Sequence, residues 1–118
     1  MEFRFIYDKE NDILNIYDYS RKVSESVEFL EDVVLDLDLK GKVMGIEIFY
    51  ASDFLSAFNK ELNKNFLNNL ECASMELKEF RNMWVILLCL KSANKVVYQS
   101  MPPLRKTEYI SPLLNEVN

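Results

Sequence analysis

The chain has 118 residues, 14 Lys or Arg against 19 Asp or Glu, and a net charge of −5 with a pI near 4.8. That length predicts one domain, and 49% apolar residues can fill a core, which excludes a disordered body. The absence of histidine excludes imidazole bases, proton shuttles and His-held zinc together, and two glycines exclude a phosphate-cradling loop.

The opening MEFRFIYDKEND is acidic within two residues and broken by charge, so no signal peptide is expected. Phe3, Phe5 and Tyr7 alternate with polar neighbours, Asp8 to Asp12 supply turn residues, and Leu14 with Ile16 resumes the alternation; the pattern predicts a hairpin. After a break at Ser20-Arg21-Lys22, a third strand is predicted from Val23 to Leu30, with Val23, Val27 and Phe29 on one face.

The clearest hairpin joins Val33–Asp38 to Val43–Tyr50 through a loop holding Gly41, where glycine tolerates a positive φ. Pairing Asp38 with Val43 puts Val33, Leu35 and Leu37 on one face with Met44, Ile46 and Ile48. A slip of one residue would set Asp36 among them instead, so the apolar pattern selects the first register. On the other face Asp36 then lies across from Gly45, with Glu47 on the diagonal.

After Tyr50 the period lengthens to about 3.6. Ser52 is the expected N-cap, Asp53 stands in the first turn, and Phe54, Leu55, Phe58, Leu62, Phe66 and Leu70 follow as a stripe. Steps of four drift by about 40° each, so one straight helix over 53–70 cannot bury the whole stripe, and a bend or break is expected near Asn63-Lys64-Asn65. Residues 72–101 predict a meander: Ala73, Met75 and Leu77 alternate, Glu79–Asn82 turns, Met83–Leu90 is apolar on both faces, Lys91–Lys95 turns, and Val96–Met101 closes. Pro102-Pro103 should end the sheet. The tail over 102–118 carries Leu104, Tyr109, Ile110, Leu113 and Leu114, and so should dock on its own domain or a neighbouring chain. Met83–Leu90, the longest uncharged apolar run, has eight residues where a membrane span needs about 20. A cytoplasmic protein without membrane association is expected.

The N-terminal half carries a recognisable succession: Tyr7-Asp8, the acidic turn ending in Asp12, Ile13-Leu14-Asn15-Ile16-Tyr17, then Val34-Leu35-Asp36-Leu37-Asp38, Gly41, Gly45-Ile46-Glu47-Ile48 and Ala51-Ser52. Over residues 1–55 this resembles the small prokaryotic domain of unknown function 2283. The resemblance implies a compact β-rich unit ending in a short helix. Because some members appear beside small toxin-like proteins, it also implies an antitoxin-like role. The extension over 56–118 departs from the usual short form.

Chemistry concentrates in carboxylates. Asp36, Asp38 and Glu47 share the second hairpin, with Asp8 and Asp12 at another turn; acids a few ångströms apart can divide acid and base roles or bind a hard cation. Gly45 would leave room for a ligand beside Asp36. The structural reading places Asp12 and Asp38 in turns, and Asp36 and Glu47 on a solvated sheet face, where acids are far commoner than two-carboxylate sites. Cys72 and Cys89, among apolar neighbours, are expected as buried free thiols rather than a metal knuckle. Lys78, Arg81, Lys91, Lys95, Arg105 and Lys106 stand near Phe80, Trp84 and Tyr98, but too sparsely to predict a nucleic-acid surface.

Residues 1–53 hold 13 acids against 6 bases, and 54–118 hold 6 against 8, so the molecule is electrically lopsided. The expected fold is α+β: a largely antiparallel β-sheet packed against one or two central helices, in the order five strands, helix, three strands. The expected function is a non-catalytic interaction module, binding or scaffolding a small basic protein through its acidic N-terminal face. The alternative is a carboxylate-based hydrolase or divalent-metal binder using Asp36 and Glu47. No cofactor is expected. The two-faced strand and apolar tail predict a homodimer or higher oligomer.

Overall fold

Period-two alternation of apolar and polar residues gives each strand one face to bury, and here two such faces bury each other. The computed structural model describes residues 2–106. Five strands come first: β1 (Phe3–Asp8), β2 (Ile13–Asp18), β3 (Glu25–Phe29), β4 (Val33–Leu37) and β5 (Val43–Ile48). Two short helices come next, α1 (Ala51–Ser56) and α2 (Lys64–Asn68). Then come β6 (Leu70–Phe80), β7 (Met83–Ser92), β8 (Lys95–Ser100) and the two-residue β9 (Leu104–Arg105). The predicted order of five strands, helix and three strands holds, with β9 added.

The N-terminal sheet runs β1-β2-β5-β4-β3 and the C-terminal sheet β6-β7-β8, with β9 beside the start of β7; every pairing is antiparallel. Leu14, Ile16, Leu35, Ile46 and Ile48 of the first sheet join Ile86, Leu88 and Leu90 of the second in one core, all fully buried. Phe29 meets Trp84 edge-on across the layers, ring centroids 5.3 Å apart. The expectation of a sheet packed on central helices is therefore corrected: the fold is largely β, 54% strand and 11% helix among the described residues.

The helical stretch is shorter than its period suggested. α1 ends at Ser56, and Phe58 is 49% exposed, packed edge-on against Phe54. α2 begins afresh at Asn63, whose side-chain oxygen accepts the Phe66 N–H at 3.0 Å. Of the expected bend or break, the structure has a full break, because an asparagine cap starts a new helix and the two halves can then aim separately. Leu55, Leu62, Phe66 and Leu67 are thereby buried in the shared core, while Leu70 opens β6.

The second hairpin has the predicted register for four pairs: Val33 with Ile48, Val34 with Glu47, Leu35 with Ile46, and Asp36 with Gly45. Beyond Asp36 the register shifts, and Leu37 pairs with Val43 rather than Met44. One extra residue inverts the facing of the strand beyond it. Val43 takes the core position, while Met44 lies beside Asp36 and Tyr17 on the other side, buried there. Gly41 has the expected positive φ, 75°.

Strand ends differ from expectation in smaller ways. Val23 lies before β3 and is 51% exposed. The last turns tighten to Arg81-Asn82 and Ala93-Asn94. β7 is central, as its two-faced apolarity required, and Pro102-Pro103 interrupt pairing only briefly before Leu104 bonds opposite Trp84. The tail thus docks its first residues on its own domain; Tyr109, Ile110, Leu113 and Leu114 lie outside the described residues. Among the described residues, no helix is long and apolar enough to cross a membrane.

Candidate functional site

The candidate acids distribute along the first sheet rather than converge. Asp12 sits at φ 55° in the β1–β2 turn. Its carboxylate accepts the Tyr7 hydroxyl at 2.6 Å, the Ser52 N–H at 3.0 Å and the Ser52 hydroxyl at 2.6 Å, and its carbonyl accepts the Ala51 N–H at 2.8 Å. Ser52 is therefore not the N-cap: α1 starts at Ala51, after Tyr50 at φ 51°, and Ser52 donates from within the first turn. Burial pushes the Asp12 carboxyl up, but the bonds from Ser52 and Tyr7, with Lys64 nearby, outweigh it and hold its pKa below the usual value. Burial, together with Asp12, raises the Tyr7 phenol far above 10.

At the far end of β5, about 17 Å away at ~3.3 Å per residue, Asp38 closes the hairpin loop. It accepts the backbone N–H groups of Lys40 and Lys42 at 2.9 and 3.0 Å, together with the Arg21 guanidinium. The bond from Arg21 and those backbone donors hold its pKa at about 2. Arg21 also donates to the Val43 carbonyl and lies 3.7 Å from Asp18. Asp18 is fully buried, and one of its oxygens accepts both the N–H and the hydroxyl of Ser20. Burial opposes its charge, yet the Ser20 bonds and Arg21 lower its pKa overall. The motif-based reading missed Asp18; a carboxylate two residues before a serine, entering a turn, was the available signal.

Asp36 and Glu47 share the outer face as predicted, about 7–8 Å apart on the diagonal. Asp36 accepts the Ser26 hydroxyl at 2.6 Å. Gly45 between them leaves little space: a Cβ there would meet the Asp36 carboxylate at 3.1 Å and the Tyr17 Cβ at 3.3 Å. Asp8 accepts from Asn11 and Glu10 within its own turn. The structure does not bring Asp36, Asp38 and Glu47 together, and among the described residues no three Cys, Asp or Glu side chains are grouped to hold a metal ion.

The C-terminal basic residues are partly engaged. Lys95 pairs with Glu61, Lys91 with Glu71, and Lys106 with Glu79. Trp84 is buried, so its face is not open for base stacking. The thiols differ from expectation: Cys72 is exposed and Cys89 half-buried. The alternation of β6 puts Ala73 and Met75 inward, and so turns Cys72 outward.

Comparison with known proteins places these features in company. Uncharacterized protein MJ0789 of Methanocaldococcus jannaschii is 29% identical over 101 residues, covering 86% of this chain and 85% of the relative. An alignment that long on 118 residues necessarily spans both sheets. No solved structure matches the chain. Residues 4–52, which include the Tyr7–Asp12–Ser52 junction and the Asp36–Gly45 pair, match the family described as Protein of unknown function (DUF2283).

Proposed function

We propose that the chain is a non-catalytic protein-interaction module that presents its acidic N-terminal sheet to a small basic protein, in an antitoxin-like or scaffolding role. The observation that carries this reading is the commitment of the acids: Asp8, Asp12, Asp18 and Asp38 are each bonded within a turn or junction. Other acids stand outward, Glu28 along the edge strand β3 and Glu31 at its tip, with Asp36 and Glu47 on the adjoining face. Such a surface speeds and orients encounter with a cationic partner and weakens with salt.

The test is co-purification from the native host at low and high salt, with native chain and a Glu28→Gln/Glu31→Gln variant. A basic protein retained at low salt, lost at high salt and lost by the variant supports the reading. Retention independent of salt and of both glutamates overturns it. Calorimetry with Mg²⁺, Mn²⁺ and Ca²⁺ addresses the hydrolase or metal-binding alternative: saturable heat abolished by Asp36→Asn would favour it over the interaction reading.

Self-association has its own support. The outer face of the C-terminal sheet leaves Phe80, Val96 and Tyr98 about half or more exposed, around half-buried Val85 and Leu87. Light scattering on a sizing column should read a dimer or higher oligomer, and Leu87→Glu should return it to monomer. A monomer at every concentration overturns this part.

A further inference from the structure

Antiparallel pairing sorts the connections of the first sheet onto two opposite ends, and the charges sort with them. Register places the β1–β2 turn, the β3–β4 turn and the exit from β5 together at one end. Their residues, 9–12, 30–32 and 49–50, carry Glu10, Asp12, Glu31 and Asp32 against Lys9 alone. The β2–β3 and β4–β5 connections meet at the other end, where residues 19–24 and 38–42 carry Arg21, Lys22, Lys40 and Lys42 against Asp38 alone. Arg21 is spent on Asp18 and Asp38, but exposed Glu10, Glu31, Lys22 and Lys40 make no ion pair with a described residue. Each end also shows apolar surface. Leu39 stands at the tip of the basic end, 89% exposed. Its loop is held in shape by Asp38, whose carboxylate accepts the Lys40 and Lys42 N–H groups and whose carbonyl accepts the Gly41 N–H. The acidic end holds an open cleft of about 600 Å³ lined by Ile13, Phe49 and Tyr50 together with Glu10 and Glu31. Tyr50 is exposed there at φ 51°, a conformation bulky side chains rarely adopt.

We infer that the basic tip of one copy docks in the acidic cleft of the next, with Leu39 against Ile13, Phe49 and Tyr50, and Lys22 and Lys40 facing Glu10 and Glu31. The two surfaces are different and lie at opposite ends of one sheet, so the contact is head-to-tail: copies add as an open chain, or close as a ring if the rotation allows. Charge alone would not use Leu39, and an apolar partner would not use the lysines. A leucine flanked by lysines on a loop already in its bound shape meets both needs at small ordering cost, and the chain itself carries one. The contact leaves the outer face of the C-terminal sheet untouched. It shares Glu31 with the acidic surface proposed above but requires no other protein.

The test mixes ¹⁴N and ¹⁵N native chains, couples touching amines and carboxylates with a carbodiimide, and reads the joined peptides by mass spectrometry. The length of the sheet separates the two ends within one chain, so links from Lys22 or Lys40 to Glu10 or Glu31 should join light chains to heavy ones. High salt should weaken them. Leu39→Asp, at an exposed loop position, should cut their yield roughly ten-fold or more, as loss of a buried leucine does. Light Leu39→Asp mixed with heavy Glu31→Lys should link in one direction, from heavy Lys22 or Lys40 to light Glu10 or Glu31, because only that pairing joins an intact tip to an intact cleft. The links are assigned by residue, so a dimer through Leu87 does not mimic them. No light-to-heavy link between these residues, an unchanged yield in Leu39→Asp, or links running both ways in the mixture overturns the inference. A basic host protein captured without such links supports the acidic-surface reading alone and overturns this one.

Discussion

The Asp12 carboxylate bonds both the backbone N–H and the hydroxyl of Ser52, forty residues further along the chain. A turn of the first hairpin thereby supplies the first turn of α1 with the acceptor that Tyr50, at the N-cap, does not provide. The Tyr7 hydroxyl holds the same carboxylate from the other side.

Removing that acceptor leaves two donors of Ser52 unmet. Asp12→Ala should cost about 1–2 kcal/mol, in the range of lost helix caps, read as a lower urea midpoint. Ser52→Ala should cost less, because the backbone N–H still reaches Asp12. Equal midpoints for native chain and Asp12→Ala would refute the cross-chain cap.

The acids also set the acid limb of stability. Asp38 has a folded pKa of about 2 against an ordinary 3.8, so its contribution is full above the unfolded value and lost as pH falls through the folded one. Asp12 and Asp18, also lowered, add with the same sign. The melting temperature should fall between about pH 4 and about pH 2, and Arg21→Met should flatten that fall. Tyr7 gives the mirror case: its raised pKa favours the neutral phenol in the fold, so stability should decline above about pH 10.

Gly45 is required by closeness, not by backbone angle. In Gly45→Ala the new methyl meets Asp36 at 3.1 Å and the Cβ of Tyr17 at 3.3 Å. The carboxylate can swing only by giving up Ser26, and the Tyr17 Cβ moves only with its strand. A loss of about 1 kcal/mol or more is expected, partly relieved in an Asp36→Ala background. Denaturation of the double-mutant cycle measures it; strict additivity would exclude the contact.

The shared core predicts a large, local loss. Leu88 on central β7 is fully buried, and Leu88→Ala should cost about 2–5 kcal/mol through lost burial and the cavity left behind. If each sheet had its own core, the N-terminal sheet would keep its amide-exchange protection in this variant. One cooperative loss across both sheets is the expected result.

How much was legible depends on which interactions are local. Alternation named every strand of the first sheet and, Val23 and Met44 excepted, the face each buries, and the register from Val33 to Asp36 came from the same pattern. The bulge after Asp36 was not readable: Val43 and Met44 are both apolar, so facing either inward satisfies the pattern, and Met44 finds cover on the outer side too. Asp36 and Glu47 were placed correctly on one face. Their separation depends on strand geometry, which the order of residue types does not give.

By itself, the order of residues determined the strands, the short-range turns, the break at Asn63 and the exclusion of imidazole chemistry, because those depend on side-chain type at spacings of two to four. Only the tertiary structure decided that the sheets cover each other while the helices remain connectors, that Asp12 meets Ser52, and that Trp84 packs edge-on against Phe29 of the other sheet. Each of these joins residues distant in the chain, and burial of apolar area rewards any partner surface of suitable shape without naming which one.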